Sequence, residues 1–449
     1  MLDKQLAVAL TDALASADME IIRALTADIN IPDLADFITE IVLPGEEADV
    51  LMTQPVERRA EVFGYLPLAL QETVAPMFTA EQLTELVTHM PTDERADLFN
   101  VLDEGLRQQL FQRLAGAERE DIRRLASYEE GSAGAIMSSD YVWAHLGMTV
   151  GEALAVIRRT APDKETIYQV YVLDDAHHLV GVVSLRELIV AAGNVLVSKL
   201  MTTEIVAAIV NEEQREVARL ISRYDLLALP IVDADNRLVG IVTYDDAMDV
   251  QEAETTEDIH RGANISKLEV NFSDATPVEL YRSRVHWLVI LVFANIFTGA
   301  GIAYFEDTIS AHIALLFFMP LLVASAGNAG SQSATLMVRG MATGDVTGRD
   351  WGRLIGKELF VATALGLTMA LAVMMVGYFR AGPNIAVVVS LTMIVVVMVG
   401  SLIGMVLPLL LKRLNFDPAT ASTPLITTIA DVSGVLIYFG IATAMLGLG

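Results

Sequence analysis

The amino-acid sequence predicts a multi-domain chain: an all-α superhelical N-terminal domain, an α/β pair of repeated units, a connecting helix and an α-helical membrane domain of five spans. Three observations predict it. Charge is divided unevenly, because the 449 residues contain 30 Lys and Arg against 57 Asp and Glu, yet residues 285–449 hold only seven of each sign. Residues 1–284 therefore carry 23 basic and 50 acidic side chains, and with them the whole formal charge of −27. A unit of about sixty residues is written twice between positions 131 and 251, which chance seldom produces. Five apolar runs follow, in a chain of mean hydropathy +0.48 with only 19% charged residues. An acidic soluble module is thus joined to a neutral membrane module, with domains at 1–130, 131–193, 194–251, 252–284 and 285–449.

The same counts exclude several classes. A strongly anionic soluble part does not bind phosphate backbones, so no nucleic-acid partner is expected. The chain has no cysteine, which removes disulfides, thiolate metal sites and Cys nucleophiles. Its start, MLDKQLAVALTDALASADME, reads as an amphipathic, acid-containing helix rather than a signal peptide. An enzyme is not expected, since neither a P-loop nor a Ser-His-Asp motif is present and the seven histidines are scattered.

Residues 1–130 read as short helices in series. Apolar residues recur at three and four spacing, as in Leu83, Leu86, Val87 and Met90. Breaks at Leu43-Pro44-Gly45, Gln54-Pro55 and Met90-Pro91-Thr92-Asp93 separate them, with Thr92 or Asp93 placed to cap the next helix.

In the repeat, the β-branched run Val170-Tyr171-Val172-Leu173-Asp174 leads to Leu179-Val180-Gly181-Val182-Val183-Ser184 and a helix start at Leu185. Ala228-Leu229-Pro230-Ile231-Val232-Asp233 and Leu238-Val239-Gly240-Ile241-Val242-Thr243 repeat that text, and Met137 and Met201 head the two copies. The repeat resembles the CBS domain, whose units pair as a Bateman module. That resemblance implies a sensor, often of an adenine nucleotide or a metal, attached to an effector. Beyond it, Glu254, Glu257 and Asp258 share one face of the connecting helix, where three like charges are either solvated or neutralised by a cation.

The apolar spans lie near 285–305, 309–338, 359–379, 385–411 and 421–447, each close to the ~20 residues that cross a bilayer core. The second is interrupted by Pro320 and by the polar, small-residue stretch 325–332, which includes Asn328 and Gln332; it is either a pore element or a surface for close helix packing. With the acidic part in the cytoplasm, Arg282, Arg284, Arg339, Arg349, Arg353, Lys357, Lys412 and Arg413 lie inside, and only Arg380 lies outside. This orientation puts the chain in the cell membrane as a multi-pass protein in contact with lipid, with its C-terminus outside. Asp431 is the one acid deep in a span, and Thr423, Thr427 and Thr428 add hydroxyls around it. A carboxylate at membrane depth costs roughly 2.5–3.5 kcal/mol on insertion scales and usually marks an ion path. An inventory of oxygen ligands points to Mg²⁺, Ca²⁺ or Mn²⁺ without choosing among them.

The order of parts resembles the MgtE family of magnesium channels over essentially the whole chain. Specific matches are Tyr128-Glu129-Glu130, Ala161-Pro162-Asp163 with Glu165-Thr166-Ile167-Tyr168, Ala253 to His260, residues 327–335, and Thr423-Pro424-Leu425 running to Asp431-Val432-Ser433-Gly434. The resemblance implies a homodimer with a pore on its two-fold axis, Mg²⁺ influx past Asp431, and closure when cytosolic Mg²⁺ is high. Mg²⁺ is then both substrate and regulator. By motif match the regulatory ligands are Glu61, Asp93 and Asp97 in the helical domain, Asp225, Asp246 and Asp249 in the second CBS unit, and Glu254, Glu257 and Asp258 on the connecting helix. Pore-lining roles fall to Asn328, Gln332, Thr423, Thr427 and Thr428.

There are departures from the family's pattern. Ala326-Gly327 stands for a double glycine, and Thr423 and Ser331 stand where Asn is common. The family's ATP site would need an aromatic pair, but Gln169 and Leu226 occupy those positions and leave Arg186 without stacking partners, which argues against a bound nucleotide. Two other readings stay open from the residues: a coupled transporter of divalent cations such as Mg²⁺, Co²⁺ or Mn²⁺, and a membrane-bound CBS sensor without conduction.

Overall fold

The computed structural model describes residues 4–16, 18–266, 275–343, 345–346, 351–414 and 416–447. The chain divides into two compact units, Met1–Ala253 and Glu254–Gly449.

In the first unit, ten short α-helices among the described residues run from Lys4–Ala15 to Gly116–Leu125. Their apolar faces close over one core containing Leu10, Ile22, Phe37, Phe63, Leu83 and Leu86. Local chemistry sets the helix starts. Thr79 and Gln82 form a reciprocal capping box, and Asp103 accepts from the N–H groups of Gly105 and Leu106. The expected cap at Thr92 is corrected here. Pro91 holds the N-cap position of helix Thr92–Val101 and makes no side-chain cap, while the Thr92 hydroxyl is buried in a contact elsewhere.

The two repeats fold into matching three-stranded sheets. Strands β1 (Trp143–His145), β2 (Gln169–Leu173) and β3 (Leu179–Ser184) stand in that order, with β1 parallel and β3 antiparallel to β2. Strands β4 (Ala208–Ile209), β5 (Ala228–Val232) and β6 (Leu238–Thr243) repeat the pattern, and both antiparallel pairs slip register at the equivalent point. The central strands are buried along nearly their whole length, which is why they read as continuous apolar runs. The glycine in each third strand has a particular cause. A Cβ on Gly181 would stand 2.3 Å from Sδ of Met201, and one on Gly240 would stand 2.6 Å from Sδ of Met137. Each heading methionine therefore packs on the glycine of the other repeat, and the two copies interlock.

Helix Tyr244–Gly262 starts at the end of β6 and runs into the second unit. The sequence expectation of one connecting segment over 252–284 differs from the structure: this helix stops at Gly262, and a new helix, Pro277–Tyr304, starts at a Thr276–Glu279 capping box with proline in its first turn. Helices Leu315–Ala342, Trp351–Ala381, Pro383–Arg413 and Thr423–Leu446 follow.

Among the described residues, four helices are long and apolar enough to cross a membrane: Pro277–Tyr304, Trp351–Ala381, Pro383–Arg413 and Thr423–Leu446. Helix Leu315–Ala342 has 28 residues, and Ser, Gly, Asn and Gln dilute its hydropathy. It is unbroken, contrary to the expected interruption. Pro320 lies early in it, and the stretch 325–332 is helical throughout. The small residues explain the packing. A Cβ on Gly400 would stand 2.3 Å from the Ala326 carbonyl oxygen, and one on Gly404 would stand 1.9 Å from that of Gly330. The two helix backbones meet along this seam, as small residues at four-residue spacing allow. Helix Pro277–Tyr304 packs on the final helix and leaves most of its apolar surface open, with Leu288, Val292, Phe293 and Phe297 exposed.

Candidate functional site

In the first unit the start of helix Thr92–Val101 is pinned to the CBS pair. The Thr92 hydroxyl lies 3.0 Å from Ser138 Oγ and accepts from the Ser139 N–H at 2.9 Å. Ser139 Oγ donates to Asp121 at 2.7 Å, and Asp121 also pairs with Arg124. Ala96 and Leu125 enter a shared core with Met137, Val217, Ile231, Val242, Ala247 and Val250. Burial of these apolar groups holds the two layers together and brings their acids face to face.

Helix Thr92–Val101 supplies Asp93, Glu94 and Asp97, the start of helix Tyr244–Gly262 supplies Asp246 and Asp249, and Glu165 comes from the first CBS unit. Burial pushes the Glu94 carboxyl up to about 8, helped by Glu165, Asp246, Asp97 and Glu61. Glu165 is raised to about 7 by burial and then by Asp246, Asp245 and Asp140. Asp97 is raised to about 6 by burial, Glu130 and Asp246. Burial likewise raises Asp93, Asp246 and Asp249, with neighbouring acids adding to it. The Thr243 backbone N–H and hydroxyl, both donating to Asp246, partly offset its rise. Asp93 Oδ1 and Glu94 Oε2 are buried with no hydrogen-bond partner. The Glu94 carboxylate lies against Gly64, where a Cβ would stand 1.8 Å from Oε2.

This seam joins Asp93, Asp97, Asp246 and Asp249 of the expected ligands, with Glu61 near enough to act on Glu94 and on Tyr65. Asp225 is exposed, adopts a left-handed conformation with φ +50° and ends helix Gln214–Tyr224. Glu254, Glu257 and Asp258 lie farther along helix Tyr244–Gly262, in the second unit, where Glu257 pairs with Arg261. Sequence reasoning missed Glu94, Glu165 and Asp245 as members of the seam. The adjacency of Glu94 to Asp93 was the one available signal for it, while only the folded chain brings Glu165 to the same place.

Among the described residues no three acidic or histidine side chains converge tightly enough to grip a bare ion. A looser array of carboxylates suits a cation that keeps several of its waters, which is the habit of Mg²⁺.

In the second unit Asp431 is half-buried, two turns into helix Thr423–Leu446. Thr423, Thr427 and Asp431 follow at four-residue spacing, so they share a stripe. Thr427 and Thr428 both donate to the Pro424 carbonyl, at 3.0 and 2.8 Å, which leaves their oxygen lone pairs as the available groups. Thr428 is buried, whereas Thr423 is exposed. Asn328 and Gln332 are exposed on a face of helix Leu315–Ala342 separate from its buried glycine seam. On that helix Gly327 abuts Thr427, where a Cβ would stand 3.0 Å from Cγ2.

In the CBS pair a cavity of about 240 Å³ opens between the repeats, lined by Gln169, Val182, Ser184, Glu187, Glu204 and Leu226 among others. Arg186 is exposed beside it in sequence and is not one of its lining residues.

Comparison with known proteins agrees with this architecture. Residues 319–441 match the divalent cation transporter family MgtE, residues 29–131 its intracellular N domain, and residues 133–194 and 197–253 the CBS domain. The chain is 39% identical over 449 residues to the magnesium transporter MgtE of Thermus thermophilus, covering 99% of each chain. It is 34% identical to the Bacillus subtilis magnesium transporter MgtE, over 94% of this chain and 96% of that one. The cytosolic domain of a Mg²⁺ channel MgtE in complex with ATP is 37% identical in sequence and superposes with a TM-score of 0.52, covering 54% of this chain and 99% of that one.

Proposed function

We propose a detailed mode of action for this chain, which belongs to the MgtE family of magnesium transporters. It acts as a homodimeric, cation-gated pathway for Mg²⁺ influx through a multi-pass domain of five spans. Two Asp431 carboxylates, one per subunit, face a shared pore with Thr423, Thr427, Asn328 and Gln332, and hold Mg²⁺ in hydrated form. Supporting this, Asn328, Gln332 and Thr423 are exposed and Asp431 is half-buried in the single chain, while Gly330, Gly400 and Gly404 of the same bundle are spent on packing within it. The basic flanks support a cytoplasmic first unit, which puts the C-terminus outside.

The observation that carries the regulatory reading is the seam of Asp93, Glu94, Asp97, Glu165 and Asp246. Packed carboxylates of one sign oppose compaction, so a divalent cation that binds the packed form shifts the population toward it. High cytosolic Mg²⁺ then favours the compact, closed state, and Glu254, Glu257 and Asp258 extend the response along the connecting helix. ATP fits the cleft between the CBS repeats by analogy with the 37%-identical ATP complex. Here the cleft offers aliphatic walls without aromatic stacking, and Glu187 and Glu204 would repel its phosphates, so it binds more weakly than it would between rings. The decisive experiment is conductance of the purified protein in a planar bilayer, with Mg²⁺ varied separately on each side. Conduction that falls only as Mg²⁺ rises on the side of the soluble unit is the expected result; conduction indifferent to that side removes the gating reading.

A further inference from the structure

Arg261 lies in the last turn of helix Tyr244–Gly262, and its guanidinium forks between two carboxylates. Nη2 pairs with Glu257 one turn earlier, and Nη1 pairs with Asp417. Asp417 lies on the loop between helices Pro383–Arg413 and Thr423–Leu446, where its Oδ1 accepts from the Ala419 N–H at 2.8 Å and starts the tight turn Pro418–Thr420. That turn leads to Ser422, which caps the final helix. The chain leaving Gly262 is held as well. Asn264 adopts a left-handed conformation with φ +58° and is buried, and the Ser266 N–H donates to the Ser283 carbonyl of helix Pro277–Tyr304 at 3.0 Å. The end of the connecting helix is therefore fastened to the first long helix by a backbone bond and to the entrance of the last by one side chain.

We infer that the Arg261–Asp417 ion pair is the joint through which the acidic end of the connecting helix controls the loop leading to Asp431. The inference rests on the cation-gated reading above and names the residues that transmit it. A divalent ion taken up by the face bearing Glu254, Glu257 and Asp258 competes for Glu257 and places a second positive charge beside Arg261. The guanidinium is then repelled toward its other partner, Asp417, and the hold on the final helix tightens. Without the ion, Arg261 is shared and the hold is weaker. Arginine suits this task because its planar fork can serve two carboxylates at once. Arg261 and Asp417 act as positioning residues and do not touch the transported ion.

The test is Mg²⁺ flux through the full-length protein in liposomes, with Mg²⁺ titrated on the side of the soluble unit. The chains are wild type, Arg261→Gln, Asp417→Asn, the double variant and Arg261→Lys. Asp417→Asn keeps an oxygen to accept from Ala419 N–H, so the turn survives and only the charge is lost. Each single neutral variant should raise the half-closing Mg²⁺ about threefold to fivefold, the size of one partly exposed ion pair, and leave flux in Mg²⁺-free buffer unchanged. The double variant should shift it no further, since the two residues act through each other. Arg261→Lys should fall nearer wild type. Single variants that close like wild type, or shifts that multiply in the double variant, overturn the joint while leaving the gating reading intact. A wild-type protein that does not close at all overturns both.

Discussion

The two units place carboxylates by opposite rules. In the first, six acids from three segments crowd a seam between packed layers, and burial together with like charge raises them toward neutrality. In the second, Asp431 stands alone on the polar stripe of an otherwise apolar helix. In the function proposed above, many carboxylates that repel one another respond to a cation by changing how the layers pack. One carboxylate on a rigid helix cannot do that; in the same proposed function it serves as a waypoint for an ion. On that proposal, sensing and permeation differ in the number of acids and in what surrounds them.

The sharpest way to break the contrast is Asp431→Asn. Flux should fall at least about tenfold, as removal of a hard ion's only deep charge implies, while the first unit keeps its Mg²⁺-dependent protection from protease. Normal flux at matched expression would remove Asp431 from the pathway. The reciprocal variant, Asp246→Asn with Asp249→Asn and Glu257→Gln, should leave flux intact and abolish closure in millimolar Mg²⁺. Closure with the wild-type dose dependence would show that the seam is not the sensor. The Asn at 246 keeps an acceptor for Thr243, so the helix start is preserved.

A smaller effect distinguishes sensing from passive screening. The linker Tyr128-Glu129-Glu130-Gly131-Ser132 should be cut faster in EDTA than in Mg²⁺, with monovalent salt at equal ionic strength giving little protection. Acidity should imitate the cation in part. Because the folded pKa values of Glu94, Glu165 and Asp97 are raised to about 8, 7 and 6, the packed form binds more protons than the unfolded chain above about pH 4.5. Its stability therefore falls as pH climbs through 6 to 8, and in EDTA cleavage should be slower at pH 5.5 than at pH 8.5. Pronounced protection at the higher pH would reverse the assignment.

The smallest change is Gly64→Ala. The added methyl must displace the Glu94 carboxylate from its recess, so the Mg²⁺ needed for protection should shift modestly, about twofold to threefold, with flux in Mg²⁺-free buffer unaffected. An unchanged protection curve would mean that Glu94 relocates without consequence for the seam.

Much of the architecture was legible in the sequence because it follows from local rules. Charge partition marked the two modules, periodicity marked the helices, and the repeated strand text marked the CBS pair, since period and turn chemistry act within a few residues of one another. Asp431 was legible for the same reason: an acid in an apolar run is conspicuous without a structure. Three features needed the fold. Thr92 looks like a helix cap and is in fact a contact to Ser138, because Pro91 already sets the entry of the helix. The stretch 325–332 looks like a break and is an unbroken helix, because Gly400 and Gly404 let its backbone approach closely enough to replace side-chain packing. Glu94 and Glu165 join Asp93, Asp97 and Asp246 although 71 positions separate the first two in sequence, because the chance to bury Ala96 and Leu125 against the second CBS unit decided which acids would meet. Local composition determined which residues carry charge; the apolar contacts between layers, set by tertiary packing alone, decided which of those charges must share one space.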